Sequence, residues 1–319
     1  MRARKAALAS EALAEQAALE HLSSGGGALG AVLAAFFAAA GARPGVLLGP
    51  VSVLVAGVGQ GARAFDGRLR QPGLGTKRPR GFLSDAEVPN AARVAAPSAP
   101  FAAVIAQAYA GDSLRSLIAP GVAAAERAGA ERRARWLDRF GQVGAAALNE
   151  PVFKRALLRV ASASEGGVLT PTDLETCEDV DQPASDRSEG DEQWVEAPWA
   201  AAATVGDSSD RGAGVCAADM HGVVAALTYR ICDMGSLIEE LELIAPHAAV
   251  PVMRGVPRVA PGARLSAPAP MALRLDASMR PTELVVEPES TRLVVALATT
   301  PRLVLRRDPA TLFVSGVRQ

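Results

Sequence analysis

From Ala28 to Val58 the chain is almost wholly apolar, and this run constrains the fold more than any other feature. A helix that is apolar on every side has to be covered on every side. Arg43, Pro44 and the surrounding glycines cut the run into pieces shorter than the roughly 20 apolar residues that cross a bilayer. It therefore reads as a buried helix, 28 to 40, followed by a buried strand, in a layered protein where sheet and helices enclose it. Residues 6 to 22 are Ala-rich with helical spacing, and the breaker SSGGG, Ser23 to Gly27, separates them from the buried helix. Next, GVLLGPVSVLVAGVGQGARAFDGRL, Gly45 to Leu69, alternates β-branched runs with glycine turns, as strands of a central sheet do. Gly57, Gly59 and Gly61 after an apolar strand suggest a dinucleotide loop, but that loop needs a helix opening at its third glycine. Here a second strand-like piece follows instead, so the glycines read as a hairpin turn.

Helical spacing resumes at Phe101 to Ala110, Ser113 to Ala128, Ala130 to Leu148 and Pro151 to Ala161, each bounded by Gly, Asp or Pro. At Leu174 the composition turns acidic and polar, too poor in aliphatic residues to offset its own ordering entropy, so 176–211 is expected as a flexible linker. Trp194 and Trp199 inside it are expected as loosely packed aromatics. Beyond it come strand patterns at Val215 to Ala218, Val223 to Tyr229, Met271 to Asp276, Glu283 to Val286, Arg292 to Ala298 and Leu303 to Arg306, with a helix expected at Ser236 to Ile244. The organisation is a helical half with a few strands, 1–175, the linker, and a strand-rich half, 212–319, the two halves forming one domain.

Lys plus Arg at 33 against Asp plus Glu at 34 leaves a net charge of -1, so no global field recruits nucleic acid or an anionic membrane. Cys177, Cys216 and Cys232 are too few and scattered for a disulfide framework and fit a reducing compartment. Glu11, Glu15 and Glu20 interrupt any apolar core of a signal peptide, so a cytoplasmic protein is expected. His21, His221 and His247 lack metal-ligand spacing, and neither metal nor cofactor is expected.

Six strings occur in one order. LASEALAEQAALEHLSSGGGALGAVLAAFFAAAGARPG (8–45), AFDGRLRQP (64–72), APSAPFAAVIAQAYAGDSLRSLIAPGVAAAERAG (96–129), GVLTPTDLE (167–175), VCAADMHGVVAALTYRI (215–231) and VAPGARLSAPAPMALRLD (259–276) together resemble the γ-glutamyltransferase (γ-glutamyltranspeptidase) family of N-terminal nucleophile hydrolases. One departure is Pro97-Ser98, where the family has Pro-Gly. The resemblance implies an α+β fold, a four-layer αββα sandwich. It also implies that a precursor cleaves itself before a threonine, whose freed amine activates the hydroxyl for acyl transfer from γ-glutamyl compounds.

Setting Asp219 to Gly222 on the family's turn puts the family's Thr-Thr-His start on Gly212, Ala213 and Gly214. Glycine has no side chain to attack with. Ser208 and Ser209 lie a few residues upstream, and at about 3.3 Å per extended residue a three-residue offset exceeds catalytic tolerance. Cys216 falls inside the strand pattern, as a small core residue does. The oxyanion segment, glycine-rich in the family, corresponds to VEPESTR, 286–292, where Glu289 and Ser290 replace the paired glycines. A carboxylate beside a developing oxyanion raises the barrier. Arg68 falls where the family grips the substrate's α-carboxylate, and Ser266 on the first of two assisting serines, with Ala267 replacing the second.

These readings imply a γ-glutamyltransferase-like pseudoenzyme, without a catalytic residue, that binds glutamate or a γ-glutamyl small molecule, or serves as a homo-oligomer or a hetero-partner subunit. The alternative is an active γ-glutamyl transferase or hydrolase with Ser208 or Ser209 as displaced nucleophile. A purely structural oligomer is the third reading.

Overall fold

The computed structural model describes residues 3–57, 61–77, 81–175, 178–189, 192–200, 211–288 and 302–319. In chain order its elements are β1 (Ala6–Ala9), α1 (Ala12–Ser23), α2 (Ala28–Ala42), β2 (Val51–Ala56), β3 (Arg63–Gly67), α3 (Asn90–Arg93), α4 (Ala99–Ala110), α5 (Leu114–Arg127), α6 (Glu131–Val143), α7 (Ala146–Asn149), α8 (Pro151–Val160) and α9 (Pro171–Glu175). Strands follow: β4 (Asp181–Pro183), β5 (Ser185–Glu189), β6 (Glu192–Glu196), β7 (Arg211–Ala218), β8 (Val224–Ile231), β9 (Gly235–Ile238), β10 (Leu243–Pro246), β11 (Met271–Leu275), β12 (Pro281–Val286), β13 (Leu303–Arg307) and β14 (Val314–Arg318).

Two six-stranded antiparallel sheets carry the fold, ordered β1-β7-β8-β2-β3-β4 and β14-β13-β12-β11-β6-β5, with β9 and β10 a separate hairpin. Leu54, Cys216 and Ala226 of the first sheet pack against Val195, Leu273, Leu284 and Leu305 of the second in one apolar layer. The other face of the first sheet meets the helices. Every residue of α2 from Ala28 to Gly41 is buried, as its all-apolar sequence requires, and the Phe36 ring meets Tyr229 of β8 edge-on with centroids 5.9 Å apart. Among the described residues no helix is long and apolar enough to cross a membrane.

The N-terminus of α2 has no side-chain cap of its own. Asp219, in the β7–β8 turn, supplies one from afar: one carboxylate oxygen accepts the Ala28 N–H at 3.1 Å, while the other accepts N–H groups of His221 and Val223. An anion at this position also opposes the helix dipole. The turn motif that follows β7 thus serves helix and hairpin together.

The structure corrects several sequence expectations. Ala6–Ala9 is a strand, not the start of a helix, because its backbone finds the exposed edge of β7 in the register Ala6↔Ala218 to Ala9↔Val215. The helix expected at Ser236 to Ile244 is the β9–β10 hairpin. Glu242 sits in its turn at φ 51°, and a Cβ on Gly235 would lie 2.3 Å from an Ile244 methyl, so the glycine is needed for close strand pairing. The segment expected as a flexible linker holds β4, β5 and β6, which extend one edge of each sheet. Its few large apolar residues account for this: Val180, Trp194, Val195 and Trp199 are all at most 5% exposed, so the sheets supply the burial that the segment lacks alone. The helix expected from Ala130 to Leu148 is interrupted at Gly144, at φ 61°. The strand expected at Arg292 to Ala298 lies outside the described residues. β2 and β3, on either side of 57–61, pair antiparallel from Val51↔Gly67 to Val55↔Arg63, as strands of one hairpin do, and 58–60 lie outside the described residues.

Helices α2 and α5 approach closely through two glycines. A Cβ on Gly121 would stand 2.4 Å from the carbonyl oxygen of Phe37, and one on Gly41 would stand 1.9 Å from that of Gly121. The obstacle is backbone in both cases and cannot swing aside. Gly121→Val is therefore expected to lower stability by about 3 kcal/mol, despite its better helix propensity, read as a shift of the urea midpoint at unchanged slope.

Candidate functional site

Strand pairing places one row of residues across the first sheet at the end where β7 begins. Gly212 opposes Arg230 of β8, and Gly214 opposes Thr228. Thr228 opposes Ser52 of β2, and Ser52 opposes Asp66 of β3. Directly paired residues share a face, and alternation along each strand puts Gly214, Thr228, Ser52 and Asp66 on the face that Leu54, Cys216 and Ala226 turn toward the second sheet. The apolar sandwich thus ends in a polar row, with Gly212, Arg230 and Arg68 at its rim.

Each polar group of the row is engaged. Thr228 donates to the carbonyl of Ala269 at 3.0 Å, and Ser52 accepts from the Trp199 indole at 2.8 Å. Both hydroxyls are at most 1% exposed. Asp66, equally buried, takes a fork from Arg68 through Nε and Nη2, with Nη2 at 2.8 Å, and accepts the Arg68 backbone N–H. The Trp199 ring lies under the Arg68 guanidinium at 5.2 Å. Arg264 closes the cluster: its Nε is 3.5 Å from Asp66, and its Nη1 donates to Ser98 and to the Arg68 carbonyl. Sequence reading quoted the segment holding Arg264 without singling it out.

Arg68 accordingly stands at the mouth of the inter-sheet layer with its carboxylate partner inside the protein. The Asp66 fork uses Nε and Nη2 and leaves Nη1 directed away from it. Ser266 is half-buried in the strand-like loop that Leu265 ties to Leu69 by a backbone hydrogen bond. Ser98 is at the Pro-Ser departure from the family pattern. It has φ -123°, which any residue adopts, and its hydroxyl accepts from both Arg70 and Arg264.

Gly212 is the second residue of β7, on the row described above. Two residues on, Gly214 meets the second sheet directly, since a Cβ there would lie 2.6 Å from Cγ1 of Val286 and 3.6 Å from Pro288. Val286 is fully buried and β-branched, so it has little freedom to retreat. Ser10 grips the same residue from the other side: its hydroxyl accepts the Gly214 N–H, and its N–H donates to the Gly214 carbonyl. Ser208, Ser209, Glu289 and Ser290 lie outside the described residues. Cys216 is fully buried between the sheets, and burial pushes its thiol pKa well above the ordinary value, so it is not a thiolate nucleophile.

The GVLTPTDLE element turns out to be a clamp. Thr170 and Asp173 form a capping box at the start of α9, and the Asp173 carboxylate also accepts the N–H groups of Gly73 and Leu74. No group of three or more His, Cys, Asp or Glu with metal-binding geometry occurs among the described residues.

Comparison with solved structures now has a geometry to rest on. LmbA2991T421A aligns with a TM-score of 0.77 over 100% of this chain and 97% of its own, at 13% identity. Cephalosporin acylase from Bacillus halodurans aligns with a TM-score of 0.71 over 100% and 95%, at 14% identity. γ-Glutamyltranspeptidase from Pseudomonas nitroreducens, complexed with L-DON, aligns at 0.51 over 60% and 70%, at 16% identity. The fold is that of the N-terminal nucleophile hydrolases. No protein-family profile matches the sequence, and no curated protein matches it. At such identities the likeness to other N-terminal nucleophile hydrolase folds is one of architecture alone.

The ion cluster is largely removed from water, with Arg68 12% and Arg264 17% exposed at the side chain and Asp66 1%. Taking away its carboxylate strands two cations. Asp66→Ala is expected to cost about 3 kcal/mol, measured by urea unfolding. Arg93→Ala, which breaks a pair whose Asp85 partner is 80% exposed, should cost under about 1 kcal/mol.

Proposed function

We propose that this protein binds a small carboxylate ligand, glutamate or a γ-glutamyl compound, at the mouth of its inter-sheet layer and does not perform acyl transfer. The observation that carries this reading is the start of β7. Acyl transfer in this architecture needs a hydroxyl or thiol whose attack a neighbouring base promotes, beside donors that hold the oxyanion. The strand offers Gly212, Ala213 and Gly214 instead, with Val286 packed into the space above Gly214. The hydroxyls on the same inward face, Thr228 and Ser52, are buried and already hydrogen-bonded. Cys216 is sealed in the core.

Binding asks less of the site than catalysis. Arg68 and Arg264 converge on Asp66, two cations against one carboxylate, which supports recognition of an anion. A guanidinium held rigid by Asp66 and Trp199 presents Nη1 with little further loss of rotamer entropy. Ser266, two residues beyond Arg264, is the neighbouring hydroxyl assigned to the same ligand by the family resemblance.

Calorimetric titration with glutamate and with glutathione tests the binding claim. Saturable heat in the wild type that disappears in Arg68→Ala is the expected result, and no heat with either ligand would remove it. The same preparations, incubated with a γ-glutamyl anilide, should release no aniline above a buffer control. Release would favour an active enzyme using Ser208 or Ser209.

A further inference from the structure

The rim of the first sheet carries a further arginine that the Asp66 cluster does not engage. Arg230 of β8 pairs with Gly212. The β2–β8 register runs to Val51↔Tyr229 and the β2–β3 register to Val51↔Gly67, so Pro50 falls between Arg230 and Arg68, and the Arg230 N–H donates to the Pro50 carbonyl at 3.2 Å. Arg230 and Arg68 therefore stand level on either side of β2, two strand spacings or about 10 Å apart. Alternation from Ala226 on β8 and from Ala64 on β3, both in the inter-sheet layer, turns both side chains toward the second sheet. Gly212, directly opposite Arg230, puts no side chain beside it.

One segment of chain joins the two arginines. Arg264 Nη1 donates to the Arg68 carbonyl, and the Leu265 N–H donates to that of Leu69. Further along, the Pro268 carbonyl accepts from Arg230 Nε at 3.1 Å, and the Ala269 carbonyl accepts from Thr228. Ser266 lies in the middle of this strip, which crosses the mouth from one guanidinium to the other.

The charge along the strip is unevenly answered. Asp66 serves Arg68 and Arg264. Among the described residues no carboxylate lies within ion-pair distance of Arg230, and its Nη1 and Nη2 make no hydrogen bond. The bond from Nε to Pro268 anchors the half-buried guanidinium and leaves that terminal pair uncommitted. Paired guanidinium N–H groups match the two oxygens of a carboxylate.

We propose that Arg230 is a second anion anchor of the same site, so that the ligand is a dicarboxylate: one carboxylate on Arg68, the other on the terminal nitrogens of Arg230, and Ser266 beside the chain between them. Arg68 holds the first carboxylate on the reading proposed above, and Arg230 decides what the ligand carries at its other end. A neutral amide there would leave the Arg230 charge unanswered. The site accordingly prefers an acid to the corresponding amide.

Calorimetric titration with two pairs of compounds tests this: glutamate against glutamine, and γ-glutamylglycine against γ-glutamyl ethylamide. Each pair differs only in the second carboxylate. In the wild type at least one acid should bind about tenfold tighter than its neutral partner, as a charge-assisted hydrogen bond provides, and the pair that shows it reports the span. Arg230→Gln should remove the preference by weakening the acid and leaving the neutral compound unchanged. Arg230→Lys, which keeps the charge, should retain part of it, and Arg68→Ala should weaken all four. If Arg230→Gln weakens the neutral compounds too, the preference must reappear in Arg230→Lys, and its absence there would count against the proposal. Equal affinity within both pairs in the wild type, or a preference that survives in Arg230→Gln, would overturn it while leaving Arg68 as a carboxylate site. No binding of any of the four would remove both readings.

Discussion

The second sheet rests on the bare backbone of β7, and the character of the molecule follows from that contact. Val286 occupies the space that any side chain at position 214 would need, and Pro288 stands beside it. Close packing of this kind stabilises a core, and it fixes β7 against the second sheet two residues beyond Gly212, the position that the family resemblance assigns to the reactive side chain.

Around that contact the polar residues have been drawn into structure. Asp66 holds Arg68 and Arg264, Ser98 joins Arg264 to Arg70, and Arg70 reaches on to the carbonyl of Asp173, whose own carboxylate fixes the 73–74 loop. A chain of charge-assisted bonds therefore runs from the mouth of the sandwich to the start of α9. It lines the mouth with the guanidinium groups of Arg68 and Arg264. Asp219 does the corresponding work at the far end, joining the β7–β8 turn to the buried helix, and Arg307 binds the outer side of that same turn.

Much of the fold was legible in the sequence where one pattern dominated. The all-apolar α2 had to be enclosed, and the β-branched runs of β2, β8, β11 and β12 read directly as strands. The failures share a cause: segments whose structure depends on a partner. Ala6–Ala9 has helical composition and becomes a strand because the edge of β7 accepts it. The acidic segment after Leu174 has too little apolar content to fold alone, but Trp194 and Val195 find cover on opposite faces of the second sheet. At the candidate site, Gly212, Gly214, Arg68 and Cys216 were singled out by setting the sequence on the family pattern. Asp66 and Arg264 were not, because an ion pair between distant segments leaves no local signature.

On the proposed reading, a β7 with glycine at 212 and 214 supplies no nucleophile, so the chain does not cut itself there. The mass of the intact, purified protein tests this most directly. A single species at 32.8 kDa is the predicted result. Two fragments joined by a break at Ser208 or Ser209, arising in the purified protein without added protease, would contradict the account.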